Sequence, residues 1–460
     1  MVNKILITFF FVFQGLLTFS HNIDIQIDNY PSDRIYMHQY YGNTSILLDS
    51  IFKSNKHFII KKSDLSDGLY FITSFQDKVL AEFVVSVNEP DFSIRFDFNK
   101  MGEKIQIQNS NENSLLQLYH SQLLYYSGLI QGIQNAAENY EENTEDYLFL
   151  KHKIDTLENE SLQFQEGILK SNPKSLVALL IEMALEPKVS IEIKDEASKK
   201  SYFYTYRNAF LENIDFKDNR LLYINNFVPR LDLYLDKLIP QNKDSVIYHL
   251  SDILGKTSQN LALNKYLKGY FIEKYYNSKV LEADAVFVDI AENYLNADTS
   301  LLTEKRQKYL EEAHSIRPLL IGKIAPNLQN LIDKDAKKHN LYNLASKFTV
   351  IYFFRPDCSS CKQSIEPLKR ILSKHQNNGL SIVAICNKYK EEVSTCWDYI
   401  KTYQLENWFV LSDPYFLSKY EKQYRVIKTP LIYLLDAEKK ILLKEISAEQ
   451  LEELIDNYIK

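Results

Sequence analysis

The sequence predicts a multidomain chain: a small β-sandwich over 22–108, an all-α middle domain over 109–320 and an α/β domain over 322–460. Three changes of period predict it. Short apolar runs that alternate with polar residues and end in turn residues fill the first stretch, and apolar residues at helical spacing fill the second. In the third, apolar runs and helical faces take turns, as in a sheet covered on both sides. A chain of 460 residues is too long for one core, which agrees with this division.

Ahead of the sandwich, Val2 to Ser20 have the form of an export signal. Lys4 gives the positive end, Ile5 to Phe13 the apolar body, and Thr18 and Ser20 the small residues of a cleavage point after Ser20. A signal peptide is therefore expected at 1–20 and the mature protein in the periplasm or cell envelope; the alternative is a buried first strand. The apolar run is short for a bilayer span. No cysteine stands near the cleavage point to carry a lipid. A formal charge of -6, with 25% charged residues, describes an ordinary acidic surface and lacks the basic face that a nucleic-acid partner needs.

In the sandwich, Ile23, Ile25 and Ile27 alternate with polar residues, and Ile35 to Met37 follow a turn at Tyr30-Pro31-Ser32-Asp33. Further strands are expected at His57 to Ile60, Gly68 to Thr73, Leu80 to Val87, Phe92 to Phe98 and Lys104 to Gln108, punctuated by Ser66-Asp67-Gly68, Glu89-Pro90 and Gly102. No cluster of His, Asp or Glu there has ligand spacing. From Ser110 the period becomes helical, first in a long helix whose Leu118, Leu123, Tyr126, Leu129 and Ile130 form an apolar face, then in segments at 142–170, 174–185, 201–213, 228–238, 243–255, 260–278, 281–295 and 303–315. Asp244 and Asp298 are placed to start helices, and Asn172-Pro173 and Glu186-Pro187 to end them. The middle region is rich in tyrosine: Tyr202, Tyr204, Tyr206, Tyr234, Tyr266, Tyr270, Tyr275 and Tyr276. Such spacing reads as amphipathic core, with a partner-docking surface as the alternative. Asp215, Asp218 and Arg220 read as a loop held by an Arg–carboxylate pair. The nine histidines are scattered without metal spacing.

After a linker at Gly322 to Asn330 and a loop or short strand pair up to Leu344, strands and helices alternate. Strands are expected at 348–354, 380–386, 408–411, 431–436 and 440–446, and helices at 361–375, 391–403, 414–422 and 448–459. Asp436 to Lys440 is the tight connection of an antiparallel hairpin, although it holds no glycine.

Chemistry concentrates in this last region, which holds all four cysteines. Cys358-Ser359-Ser360-Cys361 sits where a buried strand hands over to a helix, and there a Cys-x-x-Cys reads as a dithiol/disulfide switch. Cys358 would attack, because the free N–H groups and dipole of a helix N-terminus favour a thiolate. Cys361, one turn further in, would resolve the mixed disulfide. Ser359-Ser360 carries no charge to hold the thiolate, so a less extreme pKa is expected than in strong oxidants. The alternatives are a structural disulfide or a metal site with two ligands missing. Pro430, at the mouth of an apolar run, is expected in a cis turn beside the reactive sulfur. Cys386 and Cys396 are ten positions apart. They read equally as a bonded pair, a staple or second redox couple, and as two buried thiols.

At these residues the C-terminal region resembles the exported thioredoxin-like proteins of the TlpA/ResA type. Gly322-Lys323-Ile324-Ala325-Pro326 looks like their opening segment and Phe353 to Cys361 like their active-site stretch. Trp397, Asp413-Pro414, Thr429-Pro430 and Leu434-Leu435-Asp436 then follow in the family's order. The resemblance implies a thioredoxin-like fold with Cys358 as nucleophile and Cys361 as resolving thiol. It makes Pro430 the cis residue flanking the substrate disulfide, and Thr429 the donor of backbone hydrogen bonds to an incoming peptide. Three positions depart from it. Ser364 stands where many relatives carry a carboxylate, with Glu366 two residues on; Pro367 comes one residue late; and Tyr352 takes the place of the aspartate that cytosolic thioredoxins bury. Proton transfer from Cys361 is thus left without an obvious base. The first region is similar to a small β-domain attached to such proteins in Bacteroidota, and the middle to an uncharacterised helical domain between them. Asn109-Ser110-Asn111-Glu112-Asn113 carries part of the first likeness, and Asp215 to Leu222 part of the second.

The expected function is a thiol–disulfide oxidoreductase of the cell envelope, a reductant rather than an oxidant. Its substrates would be disulfide-containing proteins and its electron donor a membrane reductase; no cofactor, metal or nucleic acid is expected. The alternative is an envelope binding or structural protein whose thioredoxin-like domain is an interaction scaffold, with a helical element covering Cys358 and Pro430. Peroxidase activity ranks third, because Arg355 stands where such an enzyme would place a threonine or serine.

Overall fold

The computed structural model describes residues 22–101, 105–295 and 303–459. The expected signal at 1–20, Gly102, Lys104 and Asp298 lie outside them. The first region is built from β1 (Asn22–Asp28), β2 (Arg34–Tyr41), β3 (Thr44–Phe52), β4 (His57–Lys61), β5 (Gly68–Thr73), β6 (Val79–Val85), β7 (Phe92–Asp97) and β8 (Gln106–Gln108). They form two four-stranded sheets, ordered β4-β1-β7-β8 and β3-β2-β5-β6. Alternation turns Ile23, Ile25 and Ile27 of β1, and Ile35 and Met37 of β2, into one core with Phe58, Tyr70, Phe83 and Phe92. The sequence does not announce β3. Its Ile46, Leu47 and Leu48 are all exposed, so no period-two signal marks it; pairing with β2 from Arg34↔Phe52 to Tyr41↔Thr44 makes it a strand.

The helices follow as α1 (Asn111–Ala137), α2 (Glu145–Ser171), α3 (Leu176–Ala184), α4 (Glu196–Ala209), α5 (Phe227–Leu233), α6 (Lys243–Lys256), α7 (Leu261–Tyr276), α8 (Ala283–Ile290) and α9 (Thr303–Ile316). Two starts differ from expectation. Asp195 and Ser198 form a capping box, so α4 begins before position 201. Asp244 lies inside the first turn of α6, and it is Asn242 that accepts from the Ser245 N–H at 3.0 Å. Of the eight tyrosines, Tyr234 and Tyr275 are buried and Tyr204 is exposed, with the others half-buried. The Arg220 guanidinium holds both Asp218 oxygens (2.7–3.1 Å) and the Lys174 carbonyl (2.7 Å), fixing that loop.

By packing, the chain divides into two compact units, 1–240 with 255–264 and 241–254 with 265–460, so the helical stretch contributes to both. In the first, α1 is fastened to the sandwich at its opening turn. Ser110 caps it, and Asn113 brackets Val84 of β6, accepting from its N–H and donating to its carbonyl (2.8 and 2.7 Å). Glu112 accepts from the Leu176 and Val177 N–H groups at the start of α3. Among the described residues no helix is long and apolar enough to cross a membrane.

The second unit holds a seven-stranded sheet. Its strands are β9 (Leu331–Ile332), β10 (Lys338–His339), β11 (Phe348–Phe354), β12 (Leu380–Cys386), β13 (Phe409–Ser412), β14 (Leu431–Leu435) and β15 (Ile441–Lys444), ordered β10-β9-β13-β12-β11-β14-β15. β11 runs parallel to β12 and antiparallel to β14. Its side chains feed two cores: Val350, Tyr352 and Phe354 on one face, Ile351 and Phe353 on the other. Each such buried side chain contributes about 2 kcal/mol. The first face is covered by α10 (Ser359–His375), α11 (Ser394–Tyr403) and α13 (Ala448–Leu454); Tyr420 of α12 (Tyr420–Gln423) packs into the second. The mixed, helix-covered sheet is a thioredoxin-like α/β fold. The expected helix at 414–422 shrinks to α12. The Asp413 carboxylate captures the Leu417 and Ser418 N–H groups at 2.9 and 2.7 Å, and Phe416 and Lys419 take left-handed backbone, which stops a helix from starting earlier. In the β14–β15 hairpin, Lys439 takes the left-handed position that glycine would usually fill, with φ at 62°.

Candidate functional site

β11 ends at Phe354, and Arg355-Pro356-Asp357 turns the chain so that Cys358 becomes the N-cap of α10. The Cys358 N–H closes this turn on the Arg355 carbonyl at 3.2 Å. An N-cap side chain receives the orphan N–H groups of the first helical turn. Here the Cys361 N–H donates to Cys358 Sγ at 3.2 Å, and the Cys358 thiol donates to the Thr429 carbonyl at 3.4 Å. Cys358 is half-buried and Cys361 fully buried, and both are free thiols. The Thr429–Pro430 peptide is cis. The four residues expected at the site, Cys358, Cys361, Thr429 and Pro430, thus stand together at the junction of β11, α10 and β14.

The two thiols are driven apart. Burial alone would raise Cys358, but hydrogen bonds from the Cys361 thiol and N–H, the Thr429 side chain and the Ser360 N–H outweigh it and leave the thiol below its ordinary value of 9.0. Burial, followed by the hydrogen bond to Cys358, pushes Cys361 up to about 12. One sulfur is poised to ionise and the other is kept protonated.

Charges around the motif are already engaged. Arg355 donates from Nε and Nη2 to the two Asp357 oxygens at 3.0 and 2.9 Å, and Lys388 reaches Asp357 at 3.2 Å and Glu392 at 2.9 Å. Arg355, followed by Lys388, holds the Asp357 carboxyl down to about 2. Arg355 is thus committed chiefly to Asp357, with only a weaker charge interaction reaching Cys358. The sequence reading missed this Asp357 hub; an arginine and an aspartate two positions apart were its only local signal. Behind the motif, the Tyr352 hydroxyl donates to the Cys361 carbonyl at 2.8 Å. Ser364 donates to the Ser360 carbonyl at 3.0 Å, and the exposed Glu366 pairs with Lys369 at 3.2 Å. Neither replaces the carboxylate that the resemblance led one to look for.

Cys386 and Cys396, left open by the sequence, are disulfide-bonded, with Cα atoms 6.1 Å apart. The bond ties the end of β12 to the first turn of α11, and both residues are completely buried. Among the described residues, no three His, Cys, Asp or Glu side chains converge as metal ligands.

With this geometry established, residues 321–444 match the model of the AhpC/TSA family. Among solved structures, the chain is similar to a thioredoxin-like protein from Bacteroides caccae, with 19% identity over 60% of this chain and 98% of that one, at a TM-score of 0.45. A domain of a possible thiol-disulfide isomerase from Cytophaga hutchinsonii is similar at 28% identity, over 31% of this chain and 94% of its own, with a TM-score of 0.29. The thioredoxin domain of a thiol-disulfide oxidoreductase from Bacteroides vulgatus gives 20% identity, 30% and 98% coverage, and a TM-score of 0.28. No curated protein matches the chain significantly.

Proposed function

We propose that the chain is a thiol–disulfide oxidoreductase that exchanges through Cys358 and resolves through Cys361. The observation that carries this reading is the unequal pair at the start of α10. It combines a half-exposed Cys358 sulfur, hydrogen-bonded by the Cys361 N–H and held below the ordinary thiol pKa, with a buried Cys361 held above it. In the reducing direction the Cys358 thiolate attacks a substrate disulfide, forming a mixed disulfide and releasing one substrate thiolate. Cys361 then attacks Cys358 Sγ, its proton passing to a released substrate thiolate, which frees the second substrate sulfur and leaves a Cys358–Cys361 disulfide. Two electrons pass to the substrate, so an external reductant must return them.

We read the domain as one of the TlpA/ResA type, working as a reductant in the periplasm or cell envelope after removal of a signal peptide. Its substrates are disulfide-containing proteins and its donor a membrane reductase. An oxidising compartment makes that supply obligatory. The scaffold alternative requires a helical element over Cys358 and Pro430, and the partial exposure of both favours exchange. Replacing Cys361 with alanine tests the reading. The full chain should then accumulate a mixed disulfide at Cys358 when offered a peptide disulfide, and Cys358→Ala should accumulate none. Equal trapping by the two variants would overturn it.

A further inference from the structure

The loops at one edge of the sheet carry an apolar surface that dithiol chemistry alone does not require. β11, β12 and β13 are parallel neighbours, so residues 355–358, 387–390 and 413–418 all leave the sheet at the same edge. The antiparallel β14 enters there, preceded by 427–430. Hydrogen bonds stitch these loops together: Lys388 to Asp357, and the Lys390 N–H to the Pro414 carbonyl at 3.2 Å. At the far end, the Phe416 ring stacks on Tyr389 with centroids 4.0 Å apart. Tyr415 and Leu417 beside it are 71% and 56% exposed.

This surface is built in advance. Phe416 sits at φ 57°, a left-handed conformation that a phenylalanine adopts only when its surroundings enforce it. The enforcing group is the buried Asp413 carboxylate, which accepts from the Leu417 N–H, the Ser418 N–H and the Ser418 hydroxyl at 2.9, 2.7 and 2.6 Å. The Phe416 ring is held against Tyr389 and stays 46% exposed, in the loop that follows the second strand over from β11.

We propose that Tyr415, Phe416 and Leu417 form a shelf that receives an aromatic or large aliphatic residue of an extended polypeptide whose disulfide lies at Cys358. The inference rests on the exchange reading above and names its substrate class. β11 and β13, the strands that lead to Cys358 and to the shelf, stand two strand spacings apart, about 10 Å. An extended chain needs at least about three residues to cover that span, so the favoured substrate carries its apolar side chain three or more positions from the cysteine under attack. A small-molecule disulfide cannot reach the shelf.

The test offers the reduced full chain a set of decapeptides, each with one cysteine in a mixed disulfide with glutathione. Phenylalanine is walked from one to five positions away on either side, with serine as control, and oxidised glutathione serves as the small reference. The phenylalanine peptide of correct register should react about tenfold faster than its serine control, the effect of covering one apolar side chain. The ratio should fall to near one in Phe416→Ser and in Tyr415→Ser. Equal rates for phenylalanine and serine peptides, an effect independent of position, or a ratio that survives both substitutions would each overturn the shelf while leaving exchange standing. Failure to react with every disulfide, glutathione included, would overturn the exchange reading and the shelf with it. A dimer in sedimentation that Phe416→Ser dissociates would assign the surface to a second copy of the chain instead.

Discussion

Two cysteine pairs lie beside the same sheet, and their neighbours treat them oppositely. Cys358 and Cys361 sit in the turn where β11 becomes α10, one sulfur half-exposed and receiving a helix-terminal N–H. Cys386 ends the adjacent strand, directly opposite Phe354 in register, yet its sulfur is bonded to Cys396 and both are shut away from solvent. One residue of β12 thus stands within a strand's width of the reactive turn and takes no part in it. The difference teaches that access, rather than the presence of two cysteines or of a helix start, separates a pair suited to exchange from a fastening one, since Cys396 too lies in the first turn of a helix.

The largest effect that could break this contrast is loss of exchange. Cys358→Ser should bring reduction of a peptide disulfide down to background, whereas the double variant Cys386→Ala/Cys396→Ala should keep a rate within about threefold of the native chain, since both residues are buried and bonded to each other. Abolition by the double variant would make the buried pair a working couple. That same variant should lose stability instead. Closing a ten-residue loop is worth about 3 kcal/mol on chain-entropy grounds, measurable as a shift in the denaturation midpoint of the second unit.

Reactivity gives a smaller, sharper measure. Cys361 is pushed up to about 12 and Cys358 is held below 9.0, so the thiolate present near neutrality resides chiefly on Cys358. The greater intrinsic nucleophilicity of Cys361 recovers only part of that, and its burial adds to the lead of Cys358. Peptide mapping after brief iodoacetamide treatment should show Cys358 labelled first, with a rate that rises with pH to a midpoint below 9.0. Cys361 labelled first would reverse the roles. The finest measure is the potential. With Arg355 engaged by Asp357, the Cys358 thiolate is held chiefly by hydrogen bonds, and the couple should equilibrate with glutathione buffers nearer to roughly -270 mV than to about -120 mV.

What the sequence made legible, and what it hid, follows from how far each cause lies along the chain. β11 and α10 were readable because apolar runs and helical spacing are local. β3 was not, since all its side chains but Ile51 lie outside the core and its pairing with β2 defines it. The segment after β13 read as helix because its residue types permit one; a single carboxylate, Asp413, withdraws two of the N–H groups that a helix would need. At the site, the Cys-x-x-Cys, Thr429 and Pro430 could be picked out by residue type. The Asp357–Lys388 contact spans 31 positions and has no signature. The bond between Cys386 and Cys396 was undecidable from spacing, because it depends on where β12 delivers its last residue.

The junction of sandwich and helices carries a consequence of a different kind. Glu89, in the connection after β6, accepts from the Ser110 hydroxyl and the Glu112 N–H; Glu112 passes its carboxylate on to the first turn of α3; and Asn113 closes on β6. Each acceptor in this relay is fixed by the donor before it. Burial raises the Glu112 pKa while the α3 N–H groups oppose it, so that carboxylate is tolerable only when α3 is already in place. A state with the sandwich formed and α3 undocked would hand these groups back to water and lose every bond that joins the two. The sandwich and its first helices should therefore melt together, in one cooperative transition rather than two.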